Sequence, residues 1–329
     1  MLTYIVRRVL YMIPTVFLIS VVAFIVINLP PGDYLTSMVA QQMEEGDAAA
    51  AQAQAERLRV RYGLGEPVIV QYWRWISGIV LRGDFGHSFE WRRPVSSLIW
   101  TRLALTFVLS LTTTMFIWIV AIPIGIYSAV KQYSIGDYVA TTVGFIGLAI
   151  PNFLLALIFM YIGFSVFGQN VGGLYSPQYI GEPWTIDKIL NMLTHLWIPV
   201  VVLGTAGTAG LIRTMRANLL DELRKPYVVT ARSKGLTERR VIMKYPVRIA
   251  MNFFVSAQSN ILVSLISGAT IVSVVLNLPT TGPLLLGALM AQDMYLAATF
   301  ILLLSTLNVI STLISDIVLA WLDPRIRYS

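Results

Sequence analysis

Apolar residues run along this chain in long blocks, separated by short polar stretches. A run of roughly 20 such residues spans a bilayer. Blocks near that length occupy residues 9–29, 104–130, 138–167, 196–212, 253–278 and 296–320. The pattern predicts an all-α polytopic membrane protein with six transmembrane helices. The first block follows Arg7 and Arg8 and contains Pro14, which membrane helices tolerate. It is too long for the apolar region of a cleaved signal peptide and ends in NLPPGD instead of small residues, so a retained helix is expected.

Between the first two blocks lies a long non-spanning segment, 30–102. Residues 47–62, rich in Ala, Gln and Arg, favour helix by propensity, and Gly63 and Gly65 stop it. The stretch VIVQYWRWISGIVL alternates apolar and polar faces and is interrupted by Gln71, Arg74 and Ser77, so it does not span. Its Tyr72, Trp73 and Trp75 are expected to sit at a membrane interface. Two domains follow from this layout. Residues 1–102 hold the N-terminal helix and a large outer loop, and 103–329 hold five helices interrupted by a charged loop, 213–248.

Composition agrees with the pattern. Only 12% of the 329 residues are charged, about half the share of a soluble domain. Cysteine is absent, which removes disulfides and thiolate metal sites. The only two histidines, His87 and His195, lie far apart in sequence and point away from a His-based metal centre. The net charge of +7 fits a membrane protein's basic cytoplasmic side better than nucleic-acid binding. With 30–102 set aside, because large loops translocate regardless of charge, the Lys and Arg of the remaining polar segments divide 15 to 1. Both termini are therefore expected in the cytoplasm.

Chemistry is sparse. Asp316 alone is ionisable within the predicted spans, which disfavours a proton-coupled carrier. Gly204, Gly207 and Gly210 recur every three residues, a signal for close helix packing. No GxxxxGK[ST] phosphate loop, no HExxH and no Ser–His–Asp arrangement occurs, so neither nucleotide nor metal nor catalytic site is expected. Asp33, Asp84, Glu90 and Asp293 are expected to solvate loops or cap helices.

The charged loop has an order that topology alone does not require. Residues 226–248 read PYVVTARSKGLTERRVIMKYPVR. Pro226 suits a first helical position, Gly235 suits a left-handed helix stop, and Thr237 suits the cap of a second helix with Glu238 in its first turn. Two short basic helices also outline a DNA-binding helix-turn-helix. Spans on either side leave it little reach into a groove. A mere topology signal needs only scattered charges. A docking helix for a cytoplasmic partner fits the punctuation best.

Here the chain resembles a known family. VVTARSKGLTERRVIMKYPVRIAM is similar to the cytoplasmic EAA loop of ABC importer permeases of the oligopeptide/dipeptide type, with Val229, Thr230 and Ala231 in the E-A-A places. Val229 departs from the motif's glutamate, and VRIAM lacks the usual following proline. The opening YIVRRVLYMIPTVFLISVVAFIVINLPPGD, the RYGLGEPVIVQYWRWISGIVLRGDFGHSF stretch and the ending LDPRIRYS resemble further family segments in the same order. The resemblance implies a type I (MetI-like) core of five helices preceded by an extra N-terminal helix. It implies ATPase docking through Val229, Thr230, Ala231, Arg232, Lys234, Gly235, Leu236 and Glu238.

The resemblance also implies partners: a second permease subunit, two cytoplasmic ATPases that bind ATP and Mg, and a substrate-binding protein outside. The chain would lie in a bacterial or archaeal cytoplasmic membrane, among lipid. Its cargo would be di- or oligopeptides, with oligosaccharides or nickel as alternatives. A motor-less channel or membrane scaffold is the rival class.

Overall fold

The computed structural model describes residues 2–29, 34–36, 39, 52–53, 55–57, 59–60, 63–168, 172–252, 254 and 270–322. Most of the 47–62 stretch, the 30–33 turn, most of the predicted fifth span and the 323–329 ending lie outside the described residues. Among those described, α1 (Leu2–Asn28), α3 (Val95–Val130), α6 (Ile186–Leu223) and α10 (Met294–Leu322) hold apolar lengths sufficient to cross a membrane. A bent pair, α4 (Ile135–Ala149) and α5 (Asn152–Phe167), makes up a fifth candidate span.

That pair corrects the expectation of one helix over 138–167. The two halves meet at 97°. Pro151 has no N–H to donate and its ring crowds the preceding turn. Ile150 before it is extended, at φ −84° and ψ 121°, as a pre-proline residue prefers. The chain forms two compact units. One comprises Met1–Ala104 with Thr280–Ile310, the other Leu105–Pro279 with Ser311–Ser329.

In the first unit, α2 (Val68–Ser77) continues into a π-helical turn, Gly78–Arg82, and a two-residue hairpin pairs β1 (His87–Ser88) with β2 (Arg93–Pro94). Tyr72 and Trp75 do not form the expected interfacial belt. Both are buried against Phe24 of α1, with ring centroids 5.6 and 5.4 Å away. Their polar atoms are satisfied inside: the Tyr72 hydroxyl meets that of Ser20 at 2.8 Å, and Trp75 Nε1–H donates to Thr299 Oγ1 at 3.2 Å. Only Trp73 of the three faces outward.

A buried carboxylate fastens the hairpin to the start of α10. Asp293 caps that helix by accepting the Leu296 N–H at 3.3 Å, and also accepts from Ser88 Oγ–H at 2.6 Å and Glu90 N–H at 3.2 Å. The capping role read from sequence is correct, but the side chain is fully enclosed instead of solvated. A short apolar helix, α9 (Thr281–Met290), precedes it and was not expected. Gly86, at φ +85°, lies where a Cβ would come within 2.9 Å of the Tyr295 ring.

The second unit is built around α6. Small residues bring its neighbours close, as packing between membrane helices requires. A Cβ on Gly204 or Gly207 would meet Phe116 at 2.6 Å or Ile117 at 2.8 Å on α3. Conversely, Gly147 of α4 faces Thr205 and Gly125 of α3 faces Met215. Gly210 has open space and takes no part in this. Thr185 caps α6 by accepting the Lys188 N–H at 3.3 Å. The helix then runs 38 residues, far past the apolar block 196–212 that announced it.

Candidate functional site

The last turns of α6 lead straight into the elbow. Arg and Glu are good helix formers, so nothing in RTMRANLLDEL interrupts α6 until Arg224. Pro226 opens α7 (Pro226–Ser233) at its first position, as the sequence requires. Gly235 follows at φ +75°, in the left-handed region that ends helices at little cost only for glycine. Then α8 (Glu238–Lys244) begins from Thr237. Thr237 holds the cap position and its carbonyl accepts the N–H groups of Arg240 and Val241, yet its side chain makes no capping bond.

The elbow has a small core of its own. Val228 and Val241 are completely buried and Ala231 nearly so, with Tyr227, Leu236 and Tyr245 packed around them. This core, not the charges, clamps α7 onto α8. Outside it, Arg232 grips Glu238 through Nε at 3.0 Å and Nη2 at 2.6 Å, closing the turn. Arg232 holds the Glu238 carboxyl below the usual carboxylate range. At the other end the Tyr227 hydroxyl donates to the Glu222 carboxylate, tying α7 to the last turn of α6. Burial first, and this bond second, push the Tyr227 phenol well above its ordinary range.

The eight residues singled out by the motif fall into two sets. Val229, Thr230, Arg232, Lys234, Gly235 and Glu238 form the open face, while Ala231 and Leu236 look toward the small core. Val229 is 55% exposed on a helix whose other valine, Val228, is completely buried, an unusual placement for a free surface. The hydroxyls of Thr230 and Ser233 turn back to the carbonyls of Pro226 and Val229. Around this patch Lys225, Lys234, Arg239, Arg240, Lys244 and Arg248 are all exposed. The result is a cationic surface with an exposed apolar side chain, Val229, on it.

Sequence reading missed an ionic contact within the same unit. Arg216 of α6 forms a two-pronged ion pair with Asp137 of α4. Both residues lie just outside the apolar blocks, so neither entered the reading of the spans. Residues 79 apart in sequence give no local signal of such a meeting.

A multi-span helical chain that carries an exposed basic elbow has the outline of a membrane subunit that meets a partner there. Comparison with known proteins agrees. Residues 121–328 match the model for the "Binding-protein-dependent transport system inner membrane component", and residues 1–112 match the corresponding N-terminal model. The chain belongs to this family. It is 36% identical over 330 residues to an oligopeptide transport system permease protein, AppB, of Bacillus subtilis, covering 100% of both chains. It is 32% identical over 328 residues to the glutathione transport system permease protein GsiC of Escherichia coli, again over 100% of both. A putative peptide permease of Brucella ovis is 31% identical over 99% of each chain. The protein is thus a multi-pass inner-membrane permease subunit and not an enzyme, and such permeases work with ATPase and substrate-binding partners.

Proposed function

We propose that this chain forms half of the translocation pore of a peptide importer and that the elbow, residues 226–248, is where a cytoplasmic ATPase docks. The observation that carries the docking assignment is the exposed face of α7, with Val229 at its centre and cations around it, braced by its own core. Both termini lie in the cytoplasm on this reading, which the distribution of Lys and Arg supports. A second permease subunit completes the pore, and residues 103–329 supply this chain's share of it. Closure of the ATPases displaces α7, and α6, joined to it through the turn at Arg224 and Lys225 and the Tyr227–Glu222 bond, carries the movement into the membrane. Energy enters from outside the chain.

The cargo follows from relatives named for oligopeptides and glutathione. Binding of peptide and oligosaccharide panels to the partner binding protein tests it. Selective capture of peptides is the expected result, and selective capture of sugars overturns the assignment. The docking surface is tested by cross-linking. Because the chain has no cysteine, Val229→Cys introduces a single thiol. It should form a nucleotide-dependent cross-link to a P-loop ATPase purified with the chain in mild detergent. A complex that holds the ATPase but never cross-links from this position, or from Lys234→Cys, refutes docking at α7.

A further inference from the structure

The ion pair between α4 and α6 has a geometry that suits it to transmit movement. Asp137 is the third residue of α4 and is 2% exposed. Its carboxylate is aimed by a reciprocal cap. Ser134 Oγ accepts the Asp137 N–H at 3.3 Å, and Asp137 Oδ2 accepts the Tyr133 N–H at 2.9 Å. Arg216 then donates Nε–H to Oδ1 and Nη2–H to Oδ2, each at 2.9 Å, the planar fork that a bidentate pair requires. Arg216 stands two turns before α6 ends at Leu223, roughly 10 Å along the axis from the elbow. Asp137 stands at the entrance of the bent span, Ile135–Ala149 with Asn152–Val166.

Stability alone is a weak reason for such a pair. Arg216 keeps part of its side chain exposed while Asp137 is enclosed, so the pair gains little over apolar packing, but separating the partners strands the Asp137 carboxylate and is resisted. Elsewhere on the α4–α6 contact Gly144 lies over Ala209 and Gly147 over Thr205, small residues that bring the helices close. The ion pair adds a directional tie to this packing.

We propose that Asp137 and Arg216 are positioning residues that make α4 travel with α6, so that displacement of the elbow reaches the bent span. The proposal rests on the elbow being the docking segment. Without the pair, α6 moves and α4 lags, and ATP is spent without opening the path.

The test uses the assembled importer in proteoliposomes, reading peptide uptake and ATP hydrolysis together. Asp137→Asn keeps the volume and removes the charge. Uptake per ATP should fall on the order of tenfold, within the usual range of coupling between sites, while hydrolysis continues. The paired substitutions Asp137→Cys and Arg216→Cys address the same point in a chain otherwise free of cysteine. Uptake per ATP should be low before, and restored after, bridging the two thiols with a short bifunctional reagent. Unchanged coupling in either variant before bridging overturns the proposal. So does uptake that stops on bridging, because the two helices would then have to separate during the cycle. The bridged pair decides the matter if Asp137→Asn fails to assemble. A Val229→Cys chain that never cross-links to the ATPase refutes the docking reading instead, whatever the ion-pair variants do.

Discussion

Substitution of Gly235 separates backbone geometry from side-chain bulk at the elbow. A Cβ built there meets nothing within 4 Å, so any cost arises from the backbone at φ +75° alone. For an ordinary residue the left-handed conformation costs about 1–2 kcal/mol, and a β-branched one belongs at the upper end of the roughly 1–3 kcal/mol strain range. Against this stands the clamp between α7 and α8. Val228 and Val241 are fully buried, worth about 3 kcal/mol together at the low end of the scale. The exposed Arg232–Glu238 pair adds under about 1 kcal/mol. Gly235→Ala therefore spends about half of the margin and leaves the elbow folded for most of the time. Gly235→Val cancels it. Gly235→Asn, whose side chain tolerates the left-handed region, should be nearly silent.

ATP-coupled uptake should thus follow the order Gly, Asn, Ala, Val. The loss should be modest for Ala and nearly complete for Val, at equal amounts of protein in the membrane by immunoblot. Normal uptake in Gly235→Val refutes the reasoning. So does a loss in Gly235→Asn as deep as in Gly235→Val, since that would follow volume instead of backbone.

Two further outcomes can be checked on the purified protein in detergent. Gly204→Ala places a methyl group within 2.6 Å of the Phe116 ring, whereas Gly210→Ala meets nothing within 4 Å. Overpacking costs about 1–3 kcal/mol, so the first should melt lower and the second should not; equal melting of both overturns the packing account of the glycine repeat. Burial pushes the Asp293 carboxyl above the usual carboxylate range, against donors from Ser88, Glu90 and Leu296 that favour the anion. The folded state then binds the proton more tightly than the unfolded chain, so this contribution is full below the ordinary carboxylate range and is lost as pH rises through the raised value. Thermal melting of Asp293→Asn and parent across the acid range should differ by this contribution, the parent losing its relative advantage as pH rises, and a difference that does not change with pH, or changes in the opposite sense, refutes it.

The parts of the fold that sequence revealed are those set by local signals. Pro226 and Gly235 act through their own backbones, so α7 and its stop were readable without any tertiary knowledge. Proline in a span is different. Pro14, Pro123 and Pro199 lie within continuous helices, and only Pro151 separates two. The residue is the same in each case, and what the surrounding helices do decides the outcome. Tyr72 and Trp75 were misplaced for a related reason: their hydroxyl and N–H find Ser20 and Thr299, 52 and 224 residues away. The extent of α6 was hidden by reading polarity as the end of a helix, when charged residues with high helix propensity merely carry it beyond the apolar block.

The length of α6 bears on how the proposed stroke is carried. Its 38 residues extend about 57 Å, against a hydrocarbon core of about 30 Å. A helix of that length transmits displacement only if it is stiff, and this one contains Pro199 and three glycines, each a point of weakness. Its stiffness therefore comes from what is packed against it. Phe116 and Ile117 of α3 fill the hollows at Gly204 and Gly207, and Gly125 admits Met215 about two turns above the elbow-facing end. Asp137 fixes the other flank. The shaft is a bundle and not a single helix, and on the proposed reading a defect in its packing uncouples as surely as a defect in the elbow. Gly204→Ala should then lower uptake per ATP as well as thermal stability, although it lies far along the helix from the docking surface.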